Sequence, residues 1–84
     1  MWVLRGKQMS ENYSRPLDAL NENRGKNVVI DLKNGARFTG KLRAFDIHIN
    51  LVLDEAEESR NGEVIRKCGT VFLRGDTIVV ICPA

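Results

Sequence analysis

The sequence predicts an all-β fold in which one short helix precedes a small five-stranded barrel. From residue 27 onward, apolar and polar residues alternate with a period of two, which is the pattern of half-buried strands. Two Asn-Gly pairs, at 34–35 and 61–62, are strong signals for short hairpin turns. Gly40 and Gly69 fall within long strand patterns, at inward positions, and supply the bends that closure of a small barrel requires.

A short helix is predicted near the start of the chain, between an irregular tail and the first strand. Residues 1–13 are mixed and polar without periodicity, so we expect an N-terminal tail, with residues 14–84 forming a single domain. Ser14 offers an N-cap, Pro16 falls in the first helical turn, and Gly25 ends the segment. The helix therefore has two to three turns at most, and it must pack against the rest of the domain to be stable.

The five strands are predicted from the alternation and from the turn residues between them. They cover residues 27–33, 36–45, 50–53, 63–73 and 77–82. Asn34-Gly35 is expected to form a type I′ turn, since both residues tolerate positive φ. The acidic cluster Asp54–Glu58 follows the third strand, either as a solvated turn or on a face that repels phosphate.

The last strand differs from the others because Ile78–Ile81 is apolar on both faces. In so small an antiparallel domain such a strand needs cover on each side, and its exposed edge would pair with another chain. The sequence therefore predicts self-association by strand addition. A closed ring of head-to-tail copies would leave no edge unpaired.

The charges are distributed unevenly along the chain. The net charge of +2 says little by itself, but residues 1–43 hold nine Lys/Arg against four Asp/Glu, whereas residues 44–84 hold four against seven. A surface built from the first half would attract phosphate.

The two cysteines give no sign of a metal site. Cys68 and Cys82 lie in apolar strand patterns, without C-x-x-C spacing or a Cys/His cluster, so we predict no metal and no other cofactor. Two small buried thiols are the favoured interpretation, and a disulfide is the open alternative.

Membrane, secreted and enzymatic functions are not indicated. No apolar run approaches the roughly 20 residues of a membrane span, and Arg5 interrupts the apolar start too early for a signal peptide. We therefore expect a cytoplasmic protein. With one histidine, no paired-carboxylate motif and no metal-ligand spacing, we expect no enzyme and no small-molecule substrate.

Two predicted loops carry side chains that suit a nucleic-acid ligand. The segment 45–50 ends the second strand and contains His48 and Asn50, while the segment 73–76 separates the last two strands and contains Arg74. Imidazole, carboxamide and guanidinium groups can stack on an unpaired base and hydrogen-bond to it.

These segments resemble the two motifs of the archaeal Sm-like (LSm) protein family. Residues 29–53 are similar to the first Sm motif and residues 69–81 to the second, with the short linker of archaeal members. Residues 15–20 resemble the helix before their barrel. The Arg-Gly pair of the second motif favours the archaeal and eukaryotic type over the bacterial one. Ile49 stands where methionine is common, a volume-conserving change from which little effect is expected.

The resemblance implies a strongly bent five-stranded Sm-type (SH3-like) barrel that assembles into a ring, seven-membered in archaeal relatives. The fourth strand of one copy would pair with the fifth strand of the next. The ring would bind uridine-rich single-stranded RNA at the rim of its pore and act in RNA processing or ribonucleoprotein assembly. The expected partners are therefore U-rich single-stranded RNA and further copies of this chain.

Three side chains are candidates for direct contact with a base. His48 would stack on one face, and Arg74 would cover the other face or meet the phosphate. Asn50 would read the base, because its amide offers a donor and an acceptor that match O4 and N3–H of uracil. A loop histidine, a surface arginine and a turn-forming asparagine without any ligand are the ordinary alternatives.

Three neighbouring residues would support these contacts. Asp46 and Asp76 would orient Asn50 and Arg74 by hydrogen bonds, although aspartate also caps turns without a ligand. Gly75 would let the backbone turn tightly close to the ligand, and ordinary turn geometry explains it equally well.

The competing hypothesis is a β-barrel scaffold that binds protein partners through its open edge, without specific RNA binding. The strand pattern would serve either function. The combination of His48, Asn50 and Arg74 favours RNA, since a protein-only scaffold would not require these three groups.

Overall fold

The computed structural model describes residues 15–84, which form one short helix followed by five antiparallel strands. The elements in chain order are helix α1 (Pro16–Asn21), strands β1 (Asn27–Leu32), β2 (Arg37–Phe45), β3 (Leu51–Arg60) and β4 (Glu63–Leu73), a 3₁₀ helix (Gly75–Thr77) and strand β5 (Ile78–Pro83). The strands form one sheet in the order β4-β3-β2-β1-β5. This confirms the predicted helix and five strands. The predicted tail, residues 1–13, lies outside the described residues.

Helix α1 is shorter than predicted, with six residues and fewer than two turns. Its N-cap is Arg15, which has extended backbone angles, while the predicted cap Ser14 lies outside the described residues. Pro16 takes the first helical position, where the missing N–H costs nothing. Gly25 has a φ of 80°, and its N–H donates to the Leu42 carbonyl over 2.8 Å. The chain thus joins the sheet directly after the helix.

The two Asn-Gly turns differ from each other. In the first, only Gly35 has positive φ (88°), and the Asn34 side chain instead accepts the Ala36 N–H at 3.0 Å. The Leu32 N–H donates to the Ala36 carbonyl over 2.9 Å and closes a loop of residues 33–35 with glycine in the left-handed position, so the predicted type I′ turn is wrong here. At Asn61-Gly62 both residues do have positive φ, 52° and 83°, as a two-residue hairpin requires.

Strand β3 is longer than predicted because the acidic cluster forms its second half. Glu58 is only 8% exposed, and its carboxylate accepts the Arg66 guanidinium at 2.7 Å. Asp54 accepts the Thr70 hydroxyl at 2.8 Å. These partners on β4 allow a charged segment to continue the sheet up to Arg60, so of the two alternatives for the cluster the solvated turn is wrong.

The core lies between the inward faces of the strands, and two glycines permit the sheet to bend around it. A Cβ at Gly40 would lie 2.9 Å from the Asp54 carbonyl oxygen, because β2 and β3 approach closely where their register shifts. Gly69 has a φ of 75° and faces Ala56 between two register shifts. Both predicted bends are therefore present. The buried apolar side chains are Val28, Ile30, Ala36, Phe38, Leu42, Leu51, Leu53, Ala56 and Leu73.

The two end strands of the sheet each have a free edge within residues 15–84. Strand β4 pairs only with β3, and β5 pairs only with β1. Both carry exposed apolar side chains, among them Phe72 on β4 (78% exposed) and Val79 on β5 (61% exposed). Free edges with apolar side chains are surfaces that pair readily with another chain.

The cysteines are free thiols on these end strands. Cys68 on β4 is half-buried, but Cys82 on β5 is exposed, so the prediction of two buried thiols is wrong for Cys82. The reason is that Cys82 pairs with Val29, on the face of the sheet opposite to the buried Val28 and Ile30. No helix among the described residues has the length and the apolar content needed to cross a bilayer.

Candidate nucleic-acid interface

Two loops meet at one end of the sheet. The β2–β3 loop consists of residues 46–50, and the β4–β5 turn consists of residues 74–77. The Gly75 N–H donates to Oδ1 of Asn50 over 2.8 Å. This hydrogen bond joins residues 25 positions apart and brings together the two segments that carry all the candidate site residues.

The Asp46 carboxylate organises the β2–β3 loop. Its Oδ1 accepts the main-chain N–H groups of His48 at 2.9 Å and Asn50 at 3.1 Å, and its Oδ2 accepts Nδ2 of Asn50 at 3.0 Å. These bonds, above all the one from the Asn50 side chain, hold the pKa of Asp46 below its usual value. The carboxylate is therefore ionised at neutral pH and acts only as an acceptor. The hydrogen bonds that an orienting role for Asp46 requires are present.

Ile49, between two candidate residues, is a feature that sequence reasoning missed. Its φ is 62°, a left-handed conformation that is a genuine outlier for a β-branched residue. Its N–H donates to the Asp46 carbonyl at 3.0 Å, and its half-buried side chain packs against the core. The exchange of methionine for isoleucine thus places a branched side chain on backbone that disfavours it.

Gly75 is required by the contact between the two loops. A Cβ at this position would collide with the His48 carbonyl oxygen and lie 3.0 Å from the carbonyl carbons of His48 and Ile49. The absence of a side chain therefore allows the β4–β5 turn to lie directly against the β2–β3 loop. The predicted closeness of Gly75 to a ligand stays a prediction.

The Arg74 main chain is fixed, while its side chain reaches into solvent. Its carbonyl accepts the Thr77 hydroxyl at 2.7 Å, and its guanidinium donates to Oδ2 of Asp76 at 3.2 Å. The Arg74 side chain is nevertheless 80% exposed. His48 is also exposed. An imidazole and a guanidinium, the two groups predicted to stack on a base, are thus both accessible to a ligand at this end of the sheet.

Concave apolar surface borders the two loops on both sides. One groove, lined by His48 and Gly75, continues between α1 and β5, and the other lies beside Asn50, Phe72 and Arg74. Phe72 was not among the predicted site residues, although the alternation along β4 places it on the outward face of the strand. Residues 15–84 hold no group of three or more His, Cys, Asp or Glu side chains arranged for a metal ion. The arrangement offers stacking surfaces and hydrogen-bonding groups to a flat ligand.

Comparison with known proteins identifies the family. The LSM domain family model matches residues 18–83. The chain belongs to the LSM family. The resemblance drawn from the two Sm motifs is thereby confirmed. The matched region includes both loops and all five strands, and it lacks only the first two residues of the helix.

The LSM relatives of this chain include archaeal snRNP Sm-like proteins. The one from Archaeoglobus fulgidus is 54% identical over 70 residues, which cover 83% of this chain and 91% of the relative. The one from Pyrococcus furiosus is 45% identical over 69 residues, which cover 82% of this chain and 91% of the relative.

Solved LSM-type structures share the fold. A Pyrococcus abyssii Sm protein in complex with a uridine heptamer superposes with a TM-score of 0.81 at 41% identity, covering 83% of this chain and 99% of that one. A heptameric archaeal Sm protein has a TM-score of 0.74 at 39% identity, covering 79% of this chain and 96% of that one. The predicted Sm-type barrel with its preceding helix is therefore confirmed.

Proposed function

We propose that this chain forms a homo-oligomeric ring that binds uridine-rich single-stranded RNA at the rim of its pore, in RNA processing or ribonucleoprotein assembly. The observation that carries the proposal is the hydrogen bond from the Gly75 N–H to Asn50, because it joins the two loops that bear the candidate residues. The same contact leaves the side chains of His48 and Arg74 exposed to a ligand.

Ring assembly is supported by the two free edges of the sheet. Strand β4 of one copy pairs with β5 of the next, which extends the sheet from copy to copy and covers exposed apolar side chains such as Phe72 and Val79. Seven copies are supported by the heptameric archaeal Sm protein, which is 39% identical to this chain.

Each copy holds one base between the two loops. The His48 imidazole stacks on one face, and the Arg74 guanidinium covers the other face or meets the phosphate, with Asp76 restricting its position. Asn50 pairs with the edge of uracil through the N–H and the lone pair that its bonds within the site leave unused. The uridine heptamer bound by the Pyrococcus abyssii Sm protein supports uridine as the ligand.

Repetition around the ring converts weak contacts into useful affinity. A stacked base contributes only about 1–3 kcal/mol. Neighbouring sites that engage one strand raise the effective concentration at each following site. Phosphate contacts release counterions, so binding weakens steeply as the salt concentration rises. A run of several adjacent uridines is the natural ligand for such an arrangement.

The other assignments follow from this function. We assign the protein no catalytic activity and no small-molecule substrate, we place it in the cytoplasm with its RNA, and we treat residues 14–84 as a single domain. The scaffold alternative accounts for the free strand edges. It does not account for the hydrogen bonds that tie Asp46, Asn50 and Gly75 together beside an exposed imidazole and guanidinium.

Two measurements test the proposal. Native mass spectrometry gives the number of copies, and fluorescence anisotropy compares labelled oligouridine with oligoadenylate of equal length. We expect a ring that prefers oligouridine, and we expect His48→Ala combined with Arg74→Ala to lower this affinity about a hundredfold or more, because both stacking partners are lost.

The matched control is Arg37→Ala, which removes a half-exposed arginine that pairs with Asp31 at the start of β2. This variant should keep most of the affinity, and all variants should keep the ring mass. Equal, weak binding of the two oligonucleotides by the unmodified protein would instead favour the scaffold.

A further inference from the structure

The groove between helix α1 and strand β5 is apolar along its length. Pro16, Ala19 and Leu20 line it on the helix side, and Ile78 and Ile81 line it on the strand side. Its volume is about 640 Å³, within the range of sites that enclose a small ligand. No Asp, Glu, Lys or Arg is among the lining residues. The groove therefore suits an apolar occupant.

Helix α1 has an apolar side that residues 15–84 cover only in part. It consists of six residues, none of which is buried. Leu20 packs against the core, while Pro16 stays exposed. A helix of this length is not stable without packing. Pairing of β4 with β5 in a ring joins the main-chain edges of two strands and does not involve the helix. The helix side of the groove is thus left for another segment to cover.

The N-terminal segment of the chain joins the domain at this groove. Arg15 is the first described residue, and its neighbour Pro16 lines the groove. The sequence opens with Met-Trp-Val-Leu, the longest apolar run within residues 1–14, and continues with Arg5. Residues 5–15 span up to about 36 Å when extended. Helix α1 is only about 9 Å long, so residues 1–4 can reach any part of the groove.

The groove also offers a partner for the polar atom of tryptophan. Asn23 lines it and uses Nδ2 to donate to the Ala19 carbonyl over 3.2 Å. Its Oδ1 accepts no hydrogen bond from any side chain or main-chain group within residues 15–84. A buried indole N–H needs an acceptor, and an amide oxygen can supply it.

We propose that the groove between α1 and β5 is a docking site for residues 1–4 of the same chain, with Trp2 and Leu4 as the main apolar contacts. The docked segment completes the cover of α1. It lies beside the candidate RNA site, because His48 and Gly75 also line the groove. The inference goes beyond the proposed function and does not depend on RNA binding.

The test uses Trp2 as its own probe, since the chain contains a single tryptophan. Tryptophan emission and acrylamide quenching are measured on the full chain, with the same protein in urea as the reference for a solvated indole. We expect emission at shorter wavelength than in urea, and protection from acrylamide. Nuclear Overhauser effects from the indole ring to the methyl groups of Leu20 and Ile78 locate the contact in the groove.

Variants on the groove side block the docking without changing the tail. Ala19→Lys places a long charged side chain in the groove while keeping a good helix former on α1. Its emission should move to the wavelength of the urea reference. Asn21→Lys is the matched control, because it adds the same charge to the same helix at an exposed position that does not line the groove. It should keep the emission of the unmodified protein.

Variants on the tail side leave residues 15–84 untouched, so they test the proposal even where a groove variant fails to fold. Leu4→Ser should expose Trp2 to acrylamide, whereas the control Met9→Ser, outside the apolar start, should not. Circular dichroism and native mass verify the fold and the ring for each variant.

The outcomes separate docking from RNA binding. Emission of the unmodified protein at the wavelength of the urea reference would overturn the docking, and the groove would then be open to a neighbouring copy. Overhauser effects only to the exposed Val64 and Ile65 on β4 would overturn it as well. Oligouridine anisotropy is measured alongside, and either result leaves the proposed function to be judged on its own ligand.

Discussion

The two ends of the sheet each contain a long-range hydrogen bond between a side chain and the main chain, yet they are built on different physical grounds. At the site end, the Gly75 N–H bonds to the Asn50 side chain over 2.8 Å. At the hairpin end, the Arg60 guanidinium bonds to the Asn34 carbonyl over 3.2 Å. The first bond connects two loops in direct backbone contact, whereas the second comes from a long, half-exposed side chain.

The residues with left-handed backbone show the same contrast. The hairpin end places Gly35, Asn61 and Gly62 at positive φ, which are residue types that tolerate it. The site end places Ile49 there, and the bonds to Asp46 hold the loop in that conformation. At the hairpin end the residue types tolerate left-handed backbone, whereas at the site end hydrogen bonds within the β2–β3 loop oppose the preference of Ile49. Strain of this kind is found where a loop must present side chains in a fixed arrangement.

The largest expected effect comes from adding a side chain at the point where the two loops are in contact. Gly75→Ala drives a methyl group into the His48 carbonyl, so the β4–β5 turn must move away from the β2–β3 loop. We expect a loss of about 3 kcal/mol in the free energy of unfolding, because the clash is with backbone that cannot relax by a rotamer change. Binding of oligouridine should be lost as well. Chemical denaturation and fluorescence anisotropy measure the two effects.

Gly62→Ala is the matched control at the hairpin end. Its φ is 83°, but a Cβ there would meet nothing within 4 Å. Only the backbone cost of a left-handed alanine applies, about 1 kcal/mol, with no change in RNA affinity. Comparable losses in the two variants, at equal protein concentration, would show that the loop contact does not hold the site together.

The second effect is a dependence of the site on acid. Hydrogen bonds from Asn50 and His48 lower the pKa of Asp46, so its carboxylate stabilises the folded loop above about pH 4, and this stabilisation is lost as the pH falls through the lowered pKa. We expect the amide resonances of His48 and Asn50 to shift with a midpoint below about pH 4 in NMR spectra. Oligouridine affinity should fall as the pH passes below this midpoint.

Asp46→Asn supplies the control for this titration, since its side chain carries no charge to lose. The two amide resonances should then be flat across the same range. A midpoint above about pH 4 in the unmodified protein would contradict the hydrogen bonds assigned to the carboxylate.

The same contrast explains how much of the fold could be predicted. Period-two alternation and the Asn61-Gly62 pair identified all five strands and one hairpin, because these signals are local. The second half of β3 was missed because its Asp and Glu residues look like a turn until β4 supplies partners such as Arg66 for Glu58. The turn at Asn34 was misassigned because the Asn34 side chain accepts the Ala36 N–H, and Asn34 does not adopt the positive φ that a type I′ turn requires.

The composition of the candidate site was predicted more completely than its geometry. The motifs singled out His48, Asn50 and Arg74, and the structure brings their two loops together. The sequence could not show that the Asn50 amide forms hydrogen bonds inside the site, because one of them comes from a main-chain N–H 25 residues away. Likewise, residue spacing carries no information on the φ of Ile49.

The smallest expected effect tests the contrast in backbone strain directly. Ile49→Met removes the β-branch at a φ of 62° while keeping the volume that packs against the core, so we expect a gain of about 0.5 kcal/mol in the free energy of unfolding. Asn61→Ile is the mirror change, since it places a branched residue at a φ of 52° and should cost about 1–2 kcal/mol. Chemical denaturation at matched protein concentration measures both. Changes of the same sign would mean that packing, and not backbone conformation, sets the energy at residue 49.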